Sequence, residues 1–350
     1  MSKVFRELLR KVGSGRHTGK DLSRQEAELA TKMILEQEAT PAQIGAFMIA
    51  HRIKRPTGVE LAGMLDAYDH LGGRVEAVDS KRTVLVLGSP YDGRSRTAPI
   101  SPIASLILAS AGCPTLLHGG DRMPTKDGLP LIDIWQALGV NWQQLSLAQV
   151  RQVLSETNLG FVYLPRHFPL AQGIVPFREQ VGKRPPFATL ELIWAPYLGK
   201  ALTVSGFVHP PTETNIREAF ALRGVTEFAT IKGLEGSVDL PRDRTAILGI
   251  HRGGAFERLT LSARDYNLHG KDVEIAEALE ISQTIASTLK GEPSEYMQSA
   301  IWNGGFYLWL YGISADLQSG LDRAKEILTT GIAERKLKDV KEAIAVFTTC

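Results

Sequence analysis

Three capping boxes follow one another at 17-residue intervals near the start of the chain: Ser23/Glu26, Thr40/Gln43 and Thr57/Glu60. In each, a hydroxyl can accept the backbone N–H three residues on while the Glu or Gln reaches back, which marks a helix N-terminus. An amphipathic run follows each box, with Ala27, Ala30 and Ile34, then Ile44, Phe47 and Met48, then Leu61, Met64, Leu65 and Tyr68 on one face. Pro41 takes the first helical position, where its missing N–H is harmless. Pro56 and Gly72-Gly73 punctuate the ends. This spacing commits residues 1–73 to a small all-helical domain.

From Thr83 the texture changes. Short apolar runs at 83–87, 114–117, 160–164, 202–208, 226–231 and 245–250 read as strands, and 102–111, 146–157 and 213–223 as intervening helices. The alternation predicts an α/β domain with a mostly parallel sheet over 74–350, returning to helices at 272–347. The Pro-dense stretch within 166–196 is expected to cross between the lobes, part of it packing on the helical domain. Trp302, Phe306, Tyr307, Trp309 and Tyr311, at helical spacing in an apolar run, read as core or dimer packing rather than a base-stacking surface.

With 350 residues the chain can bury a full core, and two cysteines, Cys113 and Cys350, exclude a disulfide framework. No apolar signal region opens the sequence, and no run reaches the roughly 18 apolar residues of a membrane span. A soluble cytoplasmic protein without membrane contact is expected. Formal net charge is only +2, yet residues 1–24 carry seven basic groups against two acidic ones. Such an end fits either a solvated helix face or a nucleic-acid contact.

Three loops could carry chemistry. Gly88-Ser89-Pro90-Tyr91-Asp92-Gly93 follows the first strand, where ligands of open α/β sheets bind. Its backbone N–H groups suit phosphate, and Ser101 is expected to cap the next helix as a second anion site. Arg94 and Arg96 add charge matched to phosphate oxygens. After the second strand, His118, Arg122 and Lys126 surround the flexible pair Gly119-Gly120. In Lys232–Asp239, the Asp239 carboxylate could hold Mg²⁺, which takes one or two protein carboxylates. Arg178 and Glu179 read as a solvated helix face, His167 as either a packed or an acceptor-contacting residue, and His251-Arg252-Gly253-Gly254 as a further candidate anion site.

The order of these loops behind a capped helical module resembles the anthranilate phosphoribosyltransferase family. Residues 21–47 are similar to its helical signature, and Phe161–Pro165, Val175–Glu179 and Gly182–Arg184 to its interlobe segment. The resemblance implies a nucleoside phosphorylase/phosphoribosyltransferase-like fold and a homodimer through the helical domain. It also implies pentosyl transfer from phosphoribosyl pyrophosphate, or another sugar phosphate, with Mg²⁺. On that basis Gly88, Asp92, Gly93 and Ser101 would bind phosphate, and His118, Gly119 and Gly120 the ribose. Asp239 and Ser101 would hold the metal, and Arg184 would face the acceptor.

The chain also departs from the family's pattern. Pro90 and Tyr91 replace glycines of its phosphate loop, and Pro99 and Pro102 flank the retained Ile100-Ser101. Leu117 and Gly120 replace a lysine and an asparagine, and Val238-Asp239 stands where a paired Asp-Glu is expected. These changes imply an altered substrate site and speak against anthranilate as acceptor. The alternative reading is a non-catalytic nucleic-acid-binding homodimer on the same scaffold, contacting nucleic acid through Arg6, Arg10, Lys11, Arg94 and Arg96.

Overall fold

The computed structural model describes residues 3–15, 18–78 and 82–347; Arg16 of the basic segment and Cys350 lie outside them. The N-terminal helices are α1 (Lys3–Gly13), α2 (Arg24–Leu35), α3 (Pro41–Lys54) and α4 (Gly58–Leu71). All three boxes close reciprocally, so the residues that signalled helix starts are the ones satisfying the first orphan N–H groups. Glu60 does more than cap α4. Its buried carboxylate accepts the Leu22 N–H at 2.9 Å, the Thr57 N–H at 2.8 Å and the Lys54 ammonium at 2.9 Å. One side chain thereby fixes the start of α4, the end of α3 and the approach to α2. Burial opposes its charge, but His51, the Leu22 N–H and Lys54 outweigh it and hold the carboxyl down at about 2.

The α/β part is one seven-stranded sheet in the order β3-β2-β1-β4-β5-β6-β7. The strands are β1 (Val84–Leu87), β2 (Thr115–Gly119), β3 (Leu159–Tyr163), β4 (Ala201–Gly206), β5 (Phe228–Ile231), β6 (Ala246–Arg252) and β7 (Ala255–Leu261). The first five are parallel, and β6 and β7 close the sheet antiparallel. β1, β2, β3 and β5 are buried along their whole length, as strands covered on both faces must be. Strand β7, absent from the sequence reading, is half exposed and carries Glu257 and Arg258 on an open edge, so its apolar signal is diluted. Gly253-Gly254 is the hairpin turn between β6 and β7, with φ of +60° and +78°. Two consecutive left-handed residues are what a two-residue hairpin requires, so these glycines serve the turn and not an anion site.

Helix α5 (Ser101–Ser110) and the helix Glu295–Tyr311 pack into the main core, with Trp302, Phe306 and Tyr307 fully buried. A second core spans the helical lobe and continues through Phe168, Phe187 and Trp194 to Phe220 and Phe228. The Pro-dense stretch breaks into the short helices Leu164–His167, Pro169–Gln172, Val175–Val181 and Phe187–Ile193, and Val175–Val181 lies on α3. Helix Pro210–Leu222 packs on α4 as well, and Arg223 at its end pairs with Asp66 and Asp69. Among the described residues no helix is long and apolar enough to cross a membrane.

Candidate functional site

Because β1 and β4 are neighbours while β2 and β5 lie on opposite sides of them, chain connections diverge at the C-terminal end of β1. A crevice opens there in doubly wound sheets. Three connections converge on it: from β1 to α5, from β2 to the helix Leu131–Ala137, and from β5 to β6.

The first two connections are zipped together by backbone. The Gly93 N–H turns back to the Pro90 carbonyl at 2.9 Å, and Gly128 donates to the Asp92 carbonyl at 3.1 Å. Arg94 and Leu129 exchange both backbone bonds, at 3.0 and 2.7 Å. Gly93 has φ +72°, and a Cβ there would lie 2.4 Å from Gly128, so only glycine permits this approach. Gly88 is equally confined: a Cβ would stand 2.1 Å from the Leu192 carbonyl oxygen.

Asp92 is buried, accepting from Thr125 at 3.1 Å and facing Arg184 Nε at 2.5 Å. The Tyr91 ring leaves the crevice and enters the interlobe core, where its hydroxyl lies 2.6 Å from His118 Nδ1. His118 is therefore fully buried against Tyr91 and Trp194, which corrects its expected place facing a ribose. Burial pushes the His118 imidazole down to about 3, so it stays neutral, and its Nε2 has no partner. Gly119 ends β2, and a Cβ on Gly120 beyond it would meet Leu164 at 3.5 Å and Met123 at 3.8 Å, ordinary contact distances.

The third connection brings the carboxylates. Arg94 is buried, with Nη1 2.7 Å from Asp239 Oδ2 and 2.6 Å from Ser237 Oγ; its Nε is 3.4 Å from Glu235. The reading of Arg94 as a surface contact for nucleic acid is thereby corrected: both edges of its guanidinium are engaged inside the protein. Glu235, unmarked by the sequence pattern, is the second carboxylate of the site. Held at φ +53°, this residue aims its carboxylate at the N–H groups of Ser95 (3.2 Å), Arg96 (3.0 Å) and Thr97 (3.0 Å), while Lys126 approaches at 2.7 Å. Although burial opposes it, Lys126 and Arg94 hold the Glu235 carboxyl far below its usual range. The left-handed conformation of a glutamate between Leu234 and Gly236 was the one available signal, and it is invisible without coordinates.

Ser101 is the first residue of α5 and makes no capping bond; Ile100 precedes the helix in αR geometry and donates its N–H to Asp239 at 3.1 Å. Ser101, Gly88, Ser89, Gly93 and Arg94 line a common cavity of about 10 Å³, the room of a single water. Beside it, Arg184 is half-buried and Arg96 exposed. Behind it, Arg178 is fully buried against Glu191 and reaches Met123 Sδ at 3.3 Å, whereas the helical pattern suggested a solvated face; Glu179 alone is exposed. His167 is a packed residue: Nδ1 accepts the Tyr163 N–H at 2.9 Å and Nε2 lies 2.8 Å from the Leu145 carbonyl.

On the helical lobe, Arg6 and Arg10 are exposed along α1, Arg10 lying 3.0 Å from Glu7, while Lys11 is half-buried at 2.5 Å from Glu26. Next to them a groove of about 1150 Å³ runs between α1, α3 and Val181.

A model of the glycosyl transferase family helical bundle domain matches residues 6–72, and a model of that family's a/b domain matches residues 92–334. The chain belongs to the anthranilate phosphoribosyltransferase family. Among relatives, the anthranilate phosphoribosyltransferase of Azorhizobium caulinodans is 28% identical over 343 residues, 97% of this chain and 96% of that one. That of Polynucleobacter asymbioticus is 27% identical over 309 residues, covering 87% and 89%. The Thermus thermophilus enzyme superposes with a TM-score of 0.82 at 19% identity, over 98% of this chain and 100% of that one. The Saccharomyces cerevisiae enzyme, solved in complex with PRPP and Mg, gives 0.83 at 15% identity over 99% of each. These superpositions speak to the fold of the family.

The metal does not follow from the fold. Asp239 Oδ2 is taken by Arg94 and the Ile100 N–H, and both Glu235 oxygens by Lys126, Arg94 and three backbone N–H groups. Among the described residues no three His, Cys, Asp or Glu side chains converge as a metal site. Mg²⁺ takes one or two protein carboxylates and fills its shell with water and phosphate oxygens. Here both carboxylates are already met by cations of this chain and only Asp239 Oδ1 is left, so the donor set does not fit a resident Mg²⁺.

Proposed function

We propose that this family member is a phosphoribosyltransferase-like glycosyltransferase, moving a pentosyl group from a phosphoribosyl pyrophosphate-type donor to an acceptor other than anthranilate. The observation that carries this reading is the shared pocket of Gly88, Gly93, Arg94 and Ser101 at the switch point of a sheet matched by the family's a/b domain. Such a transfer needs the leaving pyrophosphate held and its charge offset, which is positioning and electrostatics rather than covalent catalysis. In this reading Arg184 and Arg96 meet the donor phosphates at the open edge of the pocket, and Ser101 reaches them from within through the one water the cavity has room for. Asp92 holds the Arg184 head in place. Gly119 and Gly120 offer backbone at the ribose side, where His118, turned inward, positions Tyr91 instead. An altered acceptor side is supported by Arg184 being paired with Asp92 of this chain rather than left for an acceptor carboxylate. The test is pyrophosphate release from phosphoribosyl pyrophosphate across a panel of aromatic amines, amides and carboxylates. Turnover with anthranilate alone would contradict the altered site, and no turnover with any acceptor would remove the transferase reading.

A second reading, a nucleic-acid-binding homodimer built through the helical domain, is favoured by exposed Arg6 and Arg10 beside the large α1–α3 groove. It calls for polynucleotide affinity that falls steeply with salt and weakens in Arg6→Ala/Arg10→Ala. A flat salt dependence would set it aside.

A further inference from the structure

Three carboxylates at the crevice, Asp92, Glu235 and Asp239, each already have a cation from this chain. Asp239 meets Arg94 at 2.7 Å, Glu235 meets Lys126 at 2.7 Å and Arg94 at 3.4 Å, and Asp92 meets Arg184 at 2.5 Å. Arg96, 77% exposed, stands 3.8 Å from Glu235. Four cations thus surround three carboxylates, leaving the cluster with one positive charge in excess. The Ser95, Arg96 and Thr97 N–H groups, which could have received an external anion, are already bound to Glu235. The charge that remains for an incoming anion is side-chain cation, Arg96 foremost.

We propose that Arg94, supported by Lys126, takes the place of a divalent cation against Asp239 and Glu235, so that a phosphate or pyrophosphate anion is received without metal at the open edge of the pocket, by Arg96 and Arg184. This rests on the donor-site reading above. A guanidinium fits the role because its planar fork can hold Asp239, Ser237 and Glu235 together and stays charged at any working pH. It is also locked in place. Arg94 is 2% exposed, its backbone is paired to Leu129 on both sides, and Ser237 and Thr97 hold Nη1 and Nη2 as well. A second cation arriving at Asp239 Oδ1, a buried acceptor with no partner, would face the Arg94 charge across the same carboxylate. The site is therefore indifferent to metal while the arginine is present.

Two titrations of the wild-type chain test this. Inorganic pyrophosphate is titrated calorimetrically in excess EDTA and again in excess MgCl₂, and Mn²⁺ alone is titrated by electron paramagnetic resonance. The expected result is pyrophosphate binding in EDTA that Mg²⁺ leaves unchanged or weakens by complexing the ligand, with Mn²⁺ not retained. Binding tightened about tenfold or more by Mg²⁺, or Mn²⁺ retained by the wild type, overturns the proposal. Absence of pyrophosphate binding in both buffers overturns the donor-site reading instead, and the Mn²⁺ titration still decides the role of Arg94. Arg94→Met, checked for native circular dichroism, is expected to gain Mn²⁺ binding through the freed Asp239. A folded Arg94→Met that gains none also counts against the substitution.

Discussion

Nη1 of Arg94 lies 2.7 Å from Oδ2 of Asp239, with both side chains buried where the β1 and β5 connections meet. This ion pair joins two loops separated by the whole central part of the sequence, so it bears on stability as well as on ligand. Removing one member of a buried pair leaves an uncompensated charge, typically a loss of about 3–5 kcal/mol. Asp239→Ala is expected to lose that much in urea unfolding. Asp239→Asn, which keeps an acceptor for the Ile100 N–H, loses less. Equal unfolding midpoints for wild type and Asp239→Ala would show that the pair contributes nothing.

Glu60 links the capping of α4 to acid stability. Its carboxyl is held at about 2 against an ordinary 4.5, so the native state binds fewer protons than the unfolded chain between those values. Its contribution is full above pH 4.5 and lost as pH falls toward 2, amounting to about 3 kcal/mol. Glu60→Gln is expected to be less stable at pH 7 and to approach the wild type near pH 2.5. A constant gap between the two across that range would refute the linkage.

The imidazole of His118 behaves in the same direction for a different reason. Burial against Tyr91 lowers it to about 3 from 6.5, so below pH 6.5 the unfolded chain takes up a proton that the native chain refuses. Stability contributed by the neutral ring is present above pH 6.5 and falls with acid by about 1.4 kcal/mol per pH unit until pH 3. His118→Phe should flatten this slope between pH 6 and 5, where Glu60 is silent. An unchanged slope would mean that the ring is solvated in the native protein.

How far these features could be read from sequence depends on how local their physics is. The capped helices were legible because Ser23, Thr40 and Thr57 are satisfied by residues three positions away. The buried parallel strands were legible because both faces demand apolar residues, whereas β7, an edge strand with Glu257 and Arg258, gave no such run. The crevice itself was legible as three loops, since glycines and strand ends mark it. Its electrostatics were not. Arg94 and Arg178 look like surface residues in a one-dimensional pattern, and only distant partners, Asp239 and Glu191, make their burial possible. The direction of Tyr91 likewise depends on His118, 27 residues on.

Two glycines of the crevice separate structure from ligand binding. Gly88 donates to the Val204 carbonyl at 2.8 Å, and a Cβ there would sit 2.1 Å from the Leu192 oxygen, a backbone atom that cannot swing away. Gly88→Ala must therefore push β1 from the interlobe helix Phe187–Ile193. It is expected to lose stability by about 2 kcal/mol or more, whether or not ligand is present. Around Gly120 the nearest atoms are flexible Leu164 carbons at 3.5 Å, ordinary contact distance. Gly120→Ala is thus expected to unfold at the wild-type urea concentration, and any effect on donor affinity then reports the ribose side of the pocket directly. If Gly120→Ala binds phosphoribosyl pyrophosphate as the wild type does, the β2 connection does not touch the donor. If both variants are equally destabilised, the close approach at Gly88 is not what that position requires.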